Sequence, residues 1–400
     1  STWATGNYTW NDIYLADFSV RFDGSSDFGS NQRWAPFFSG GLGVNIHNYE
    51  FLKGNEIVNK LKVRASYGRT GKASFPSYAA TTMYEALFDE WYATGFGAVL
   101  KALGNNDLTW EKTDKFNVGI EMQFLNRRLT VDADYYHDKT IDLVNDVSLS
   151  QTSGFSSYKD NMGEVLNQGF ELQVRGEVFR NRDWLVALWG NMAHNKNKIV
   201  KISDSQRAYN QRVKDFYQKG IVDMNYNGYE PQYAVPISQY EEGQSLTSIW
   251  AVKSLGIDPT TGKEIFLNRD GSVSDTWNAT QEVVVGNTEP KFNGSVGFNL
   301  AYKAWSLFAA FQYEWGGQEY NQTLVDRVEN ARIQYQNVDL RVLTDRWKQP
   351  GDIAQFKDIK NADNVTMPTS RFVQDKAYLR LSALTLSYDF NRERIKKYLG

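Results

Sequence analysis

The stretch that decides the fold is Lys115-Phe116-Asn117-Val118-Gly119-Ile120-Glu121-Met122-Gln123-Phe124-Leu125-Asn126-Arg127-Arg128-Leu129-Thr130-Val131-Asp132-Ala133-Asp134-Tyr135. Phe116, Val118, Ile120, Met122 and Phe124 alternate with Lys115, Asn117, Gly119, Glu121 and Gln123. Past Asn126-Arg127 the alternation restarts, with Leu129, Val131, Ala133 and Tyr135 set against Arg128, Thr130, Asp132 and Asp134. Period two places successive side chains on opposite faces of a strand, so each run has one apolar and one polar face. A strand that crosses a bilayer needs about 9–11 such residues, with lipid on one side and a wet lumen on the other.

Outward from this pair the pattern repeats. Toward the N-terminus a strand is expected from Tyr8 to Asp23, with Tyr14, Ala16, Phe18, Val20 and Phe22 on one face. A glycine-rich strand follows from Arg33 to Ile46, and a third from Lys60 to Gly71. Toward the C-terminus Phe170, Leu172, Val174 and Val178 oppose Glu171, Gln173, Arg175 and Glu177, and Asn181 marks a tight turn into a strand from Asp183 to Asn195. Phe292 to Leu300 and Trp305 to Tyr313 form another pair around Lys303, and Phe372 to Phe390 reads as the last strand. Ser248–Ile257 and Glu264–Leu267 are weaker, and read either as a membrane pair or as a hairpin above the rim. About ten strands emerge without them. Tight turns fall on one side. Nearly every long loop falls on the other, including 73–113, 199–247 and 316–371, while His47–Asn59 is a longer link on the short side. That asymmetry is the second half of a barrel signature.

Composition agrees. The chain has 400 residues, 14% of them aromatic, no cysteine, and a net charge of -3. Mean hydropathy is -0.54. No stretch reaches the about 18 apolar residues of a membrane helix. Aromatic residues at this density suit the two girdles of a barrel, and equally the core of a soluble all-β protein. No basic stripe indicates nucleic acid, no thiolate metal site is possible, and no cofactor motif appears. His47, His137 and His194 lie apart, and Asn268-Arg269-Asp270-Gly271 reads as a turn. No Ser-His-Asp arrangement can be assembled, so an enzyme is the weakest of the readings.

Several motifs, in order, resemble the barrel of SusC/RagA-type TonB-dependent transporters of Bacteroidetes. They are Asn59-Lys60-Leu61-Lys62-Val63-Arg64-Ala65-Ser66-Tyr67-Gly68-Arg69-Thr70-Gly71, Asn105-Asn106-Asp107-Leu108-Thr109-Trp110-Glu111-Lys112-Thr113, Asn161-Met162-Gly163, Gly256-Ile257-Asp258-Pro259-Thr260-Thr261-Gly262, Arg346-Trp347-Lys348-Gln349-Pro350-Gly351-Asp352 and Tyr378–Tyr388. The resemblance implies an all-β fold, an antiparallel transmembrane β-barrel of which residues 1–400 supply interior to late strands. That is roughly half of an about 22-stranded barrel, with long extracellular loops and mostly short periplasmic turns. It implies a plug domain and terminal strands outside this sequence, and location in a Gram-negative outer membrane. It implies TonB acting through the plug, a SusD-like surface lipoprotein, and import of an oligosaccharide or oligopeptide. The competing reading is a soluble or surface-exposed β-rich binding domain with no transport role.

The binding candidates are aromatic. Trp91, Tyr92 and Trp110 share one long loop, and Tyr217, Tyr226, Tyr229 and Tyr233 crowd another together with Tyr209, Phe216 and Tyr240. Rings offer large contact area at low entropy cost. They either pack the loops together or hold substrate or lipoprotein. The second loop looks too polar to form a core of its own, so a partner surface is the expected place of burial.

Overall fold

The computed structural model describes residues 1–390 apart from 26–32, 73–81, 94, 103–104, 106–107, 149–156, 162, 228–230, 336 and 362–363. Tyr229 therefore lies outside the described residues, as do the side chains of Trp91, Tyr92 and Tyr226. The chain forms two compact units. The first comprises Ser1–Lys201, Lys291–Trp315 and Ala377–Gly400, and the second Ile202–Pro290 and Gly316–Lys376.

The first unit is a wall of long antiparallel strands. In chain order they are β1 (Thr2–Trp10), β2 (Tyr14–Gly24), β3 (Trp34–Asn45) and β4 (Val58–Lys72), then a hairpin of β5 (Met83–Tyr92) and β6 (Gly95–Ala102). Next come β7 (Glu111–Phe124) and β8 (Leu129–Ile141), a short hairpin of β9 (Val144–Ser148) and β10 (Ser157–Asn161), and β11 (Glu164–Arg180) with β12 (Trp184–Lys201). The second unit opens with helix α1 (Asp204–Asn227) and holds the short strands β13 (Ser248–Ala251), β14 (Lys253–Ile257), β15 (Glu264–Leu267), β16 (Val273–Ser274) and β17 (Val283–Asn287). The chain then runs through β18 (Phe292–Tyr302) and β19 (Trp305–Tyr320). It continues through two short helices, α2 (Gln322–Leu324) and α3 (Arg341–Thr344), into β20 (Val373–Tyr388). Among the described residues, eleven strands form one sheet in the order β1-β2-β3-β4-β7-β8-β11-β12-β18-β19-β20.

Register carries the alternation across the wall. One cross-strand row reads Lys62, Glu121, Asp132, Gln173, Asn191, Ser295 and Gln312, polar throughout. The adjacent row reads Leu61, Met122, Val131, Val174, Gly190, Val296 and Phe311, apolar throughout. A slip of one residue in any strand would exchange the faces, so the two rows fix the register. On the polar face Arg64 donates to Asp134 Oδ1 at 2.6 Å and to Asn117 Oδ1 at 3.1 Å, while Glu121 takes Lys60 Nζ at 2.6 Å. A Cβ at Gly119 would collide with Asp134 Oδ1, so glycine makes room for this ion pair.

The short connections share one rim. Asn11 and Asp12, Leu125 to Arg127, and Lys303 all take positive φ, the left-handed geometry of tight hairpin turns. Backbone bonds join successive turns: Asn45 N–H to Ile13 O (2.7 Å), Leu125 N–H to Ile57 O (2.8 Å), Glu177 N–H to Arg128 O (2.7 Å) and Lys303 N–H to Asp183 O (2.8 Å). The expected single strand Tyr8–Asp23 is thus two strands, because Asn11-Asp12 turns the chain inside it. The weak pair at 248–267 lies outside the eleven-stranded sheet, within the second unit. Two expected loops also hold regular structure: 73–113 contains the β5–β6 hairpin, and 199–247 contains a 24-residue helix.

Candidate functional site

The wall's outer face carries two aromatic belts. Near the tight turns Trp10 stacks on Tyr14 (5.5 Å between centroids), while Trp184 meets Tyr302 (4.4 Å) and Trp305 meets Tyr388 (4.7 Å) at a tilt. On the same face near the other rim, His194, Phe292 and Trp315 cluster, with centroids 5.5 and 6.2 Å apart. Trp184 to His194, Tyr302 to Phe292, and Trp305 to Trp315 are each ten residues apart on their strands. Between belts the face is aliphatic and exposed, at Val20, Leu42, Val118, Leu188 and Val296.

The belts give the tilt. Tyr14 on β2 shares a cross-strand row with Met192 on β12, six strand steps away. The belt residue on β12 is Trp184, eight residues below Met192. Eight residues at about 3.3 Å against six steps at about 4.8 Å is a tilt of about 42°. Ten residues at that tilt span about 25 Å, the height of the apolar band of outer-membrane barrels.

The second unit has its own core. Val213, Tyr217, Tyr233, Ala234, Val252, Phe266, Trp277, Leu324, Val325, Val328 and Phe372 belong to one buried cluster. Helix α1 begins with a reciprocal cap, Gln206 N–H to Ser203 Oγ (3.2 Å) and Ser203 N–H to Gln206 Oε1 (3.3 Å). Its inward positions, Gln206, Val213, Tyr217 and Gly220, follow helical spacing. Tyr217 is fully buried, donates to Val235 O at 2.7 Å and meets Trp277 edge-on at 5.3 Å. Burial pushes its hydroxyl pKa far up. Tyr233 is buried against Phe216 at 4.7 Å, and Tyr209 packs on Tyr240 at 5.6 Å. These rings are core, which corrects the expectation that their stretch was too polar to build one. Trp110 is likewise buried, in the first unit, edge-on to Phe37 at 5.5 Å. Of the candidate rings, the structure therefore places Trp110, Tyr217 and Tyr233 in interiors.

Charged groups are buried in the second unit too. Arg371 bridges Glu264 (2.7 Å) and Glu329 (2.6 Å). Burial pushes Glu329 up, but Arg371, Lys357 and Arg346 outweigh it and hold the carboxyl below its usual range. Burial lowers Lys357 to about 8. Glu282 is different. Burial raises it to about 7, against the pull of Gln239, Lys214 and Arg269, and its Oε1 has no hydrogen-bond partner.

Two of the sequence motifs meet here. Trp347 donates its indole N–H to Pro259 O at 2.8 Å, and its ring lies where a Cβ at Gly262 would fall, 2.6 Å away. Gly262 has φ +70°, so glycine is required twice over. In the first unit Asn161 pairs with both backbone groups of Thr109, at 2.9 and 3.0 Å.

A cavity of about 440 Å³ opens in the second unit. Val235, Pro236, Ile237, Leu246, Ile249 and Trp250 give its lining apolar surface, and Ser238, Thr247, Ser248, Thr288, Tyr320 and Gln322 give it polar groups. Its lining comes from four separate segments, 235–238, 246–250, 288 and 320–322, which no local sequence pattern brings together. Among the described candidate rings, Trp110, Tyr217 and Tyr233 do not line it.

An antiparallel wall with a wet face, an aliphatic face and two aromatic belts about 25 Å apart is the side of a transmembrane β-barrel. The sequence matches the family described as TonB dependent receptor-like, beta-barrel, over residues 1–396, and the chain belongs to that family. The family sits in the outer membrane and consists of transporters and receptors rather than enzymes. TonB-dependent receptor P3 of Formosa agariphila is 28% identical over 397 residues, covering 96% of this chain and 38% of the relative. TonB-dependent receptor SusC of Bacteroides thetaiotaomicron is 33% identical over 207 residues, covering 49% of this chain and 20% of the relative. The solved RagAB peptide transporter superposes with a TM-score of 0.79 at 26% identity, covering 96% of this chain and 40% of that one. The chain thus spans about two fifths of the length of the relatives that match it throughout.

Proposed function

We propose that this chain is part of the barrel and cell-surface body of a TonB-dependent importer that carries an oligomeric nutrient, a glycan or a peptide, across the outer membrane. The single observation behind this reading is the unbroken apolar row beside an unbroken polar row over seven strands, within a chain that matches the receptor barrel family throughout. The sheet ends at β1 and β20, each with one strand neighbour among the described residues. Lipid cannot satisfy such an edge, so further strands of the same barrel would pair with both. A plug in the lumen would face the Lys60–Arg64–Glu121–Asp134 network and relay the action of TonB. A SusD-like lipoprotein would close over the extracellular side, as SusC and RagAB are similar in sequence and structure.

The competing reading, a soluble binding domain, leaves the aliphatic face of the wall uncovered, which argues against it. The test is uptake of labelled oligopeptides and malto-oligosaccharides by cells carrying the complete protein, with and without TonB. Uptake of either that stops when TonB is depleted is expected. Uptake of neither, or accumulation indifferent to TonB, rejects the reading.

A further inference from the structure

On β4, β7, β8, β11 and β12 the outer face of the wall becomes charged at the rim away from the tight turns. One cross-strand row reads Arg69, Asp114, Lys139, Leu166 and Lys198, and Lys196 lies on the same face two residues before Lys198. Their outward direction is fixed from the other side. Asn195 and Asn197 alternate with them and turn their amides onto Asn167 Oδ1 of the polar face, at 3.3 and 2.8 Å. Arg69 is held by both oxygens of Asp114, at 2.6 and 2.7 Å, and Lys139 by Glu164 at 2.7 Å. Lys196 and Lys198 are exposed and have no anionic partner among the described residues. β12 climbs from Trp184 to the belt at His194 by about 2.5 Å of height per residue. Lys196 and Lys198 therefore stand about 5 and about 10 Å above that belt. Lys139, two strand steps back along the tilted belt, stands about 3 Å above it. The headgroup layer on each side of a bilayer is about 5–7 Å deep, so all three flexible stems can carry their ammonium groups into it.

We infer that this patch holds one membrane lipid whose headgroup carries a phosphate monoester. Lys196 and Lys198 take the phosphate, Lys139 stands at its edge, and the hydrocarbon tails lie on the aliphatic face between the belts. The charge matches. Two uncompensated ammonium groups face the about −1.5 to −2 of a monoester, and a diester headgroup would leave one of them unanswered. The spacing matches as well. Lys139 and Lys198 are two strand steps, about 10 Å, apart, and Lys196 lies about 7 Å from Lys198 along β12, so the three stems converge on one headgroup. A second copy of the chain fits worse. Across a two-fold axis the patch would meet itself and bring like charges together. The assignment requires the wall to lie in lipid and is independent of what the barrel carries.

The test uses the complete protein in detergent, mixed with phosphatidic acid, phosphatidylglycerol or phosphatidylcholine bearing identical tails. These are a monoester, a diester and a zwitterion. Native mass spectrometry counts the lipid retained. A single phosphatidic acid per protein is expected, with phosphatidylglycerol about five-fold weaker and phosphatidylcholine not retained. Lys196→Gln or Lys198→Gln should weaken retention about five-fold, and the double variant about thirty-fold. Lys53→Gln removes a lysine at the opposite rim and should retain lipid as the wild type does. Circular dichroism matching the wild type verifies that the variants fold. Inorganic phosphate at the same concentration should not displace the lipid, because it brings no tails to the aliphatic face. Equal retention of the three lipids, unchanged retention in the folded double variant, or displacement by inorganic phosphate overturns the assignment. So does a lipid-free dimer that the double variant dissociates, which would give the face to a second copy.

Discussion

At Val118 the outer row stands near the middle of the apolar band. The short-turn belt, tilted as derived, crosses β7 near Phe124, about six residues or 15 Å of height away. Val118→Arg should therefore cost about 2–4 kcal/mol of barrel stability. Asn117 is a poor control, although alternation alone would choose it, because its side chain accepts from Arg64 and an arginine there would oppose a like charge. Gln173 is better. It faces the polar side and pairs across the strands with Asp132, so Gln173→Arg should stay within about 0.5 kcal/mol of wild type. Urea unfolding in vesicles measures both, and equal costs at the two positions would reject the assignment of faces. Glu282 gives a pH prediction. Its folded pKa of about 7 lies above the ordinary 4.5, so the native state holds the extra proton between those values. Stability of the second unit should then fall as pH rises from about 4.5 to about 7, by up to about 3 kcal/mol, and level off above. Glu282→Gln should remove that slope and make the unit more stable than wild type at pH 8. Hydrogen exchange across residues 202–290 at pH 5 and pH 8 reads the difference, and an unchanged slope in the variant would assign it to another group.

Among elements, strands and helices differ in how far the sequence discloses them. The long strands were legible because period two survives wherever one face meets lipid and the other water, and Lys115–Tyr135 shows it without interruption. Asn11-Asp12 went unread as a turn because Tyr8, Tyr14 and Phe18 keep the same parity across it. Helix α1 went unread for a different reason. Its stripe is built from Gln206, Val213, Tyr217 and Gly220, of which only Val213 is aliphatic, so a search for apolar residues passes over it. The local signal was present in Ser203-Asp204-Ser205-Gln206, a capping box. Ser203→Ala should cost about 0.5–2 kcal/mol and fray the first turn of α1. Amide exchange at residues 205–208 is the readout; unchanged protection there would mean that tertiary packing alone holds the helix end. The aromatic candidates illustrate the same limit. Tyrosines crowding a polar stretch pointed to a surface, and only the pairing of residues 202–290 with 316–376 turns Tyr217 and Tyr233 into core. Motifs joined by tertiary contact, such as Trp347 on the Asp258–Gly262 turn, were legible as motifs but not as a joint. Deleting 205–240 would therefore damage the second unit as a whole, since it would remove Val213, Tyr217 and Tyr233 from the core.

Over the whole molecule the asymmetry of the connections sets direction. The tight turns at 11–13, 125–128, 181–183 and 303–304 have no room for a folded body, whereas the opposite ends of β12 and β18, and of β19 and β20, are joined through the second unit. The turns should be periplasmic and the segments 73–113, 199–247 and 316–371 extracellular. Protease added to intact cells that carry the complete protein should cut only in those segments, after Arg or Lys on exposed loop backbone. Cleavage near Asn126 in intact cells would reverse the orientation.

The ten-residue interval between aromatic belts is also a ruler. Rings at the two interfaces resist being drawn into hydrocarbon or pushed into water, so the interval selects a lipid thickness. About 25 Å is short of the about 30 Å core of an average bilayer and suits the thinner outer membrane. In long-chain synthetic lipids the wall would suffer hydrophobic mismatch, and the acyl chains beside Trp184 and Trp315 would have to compress. Short-chain vesicles are the better host for every folding and titration experiment on this protein. A folding yield that did not rise as the acyl chains shorten would show that the belts do not set its depth.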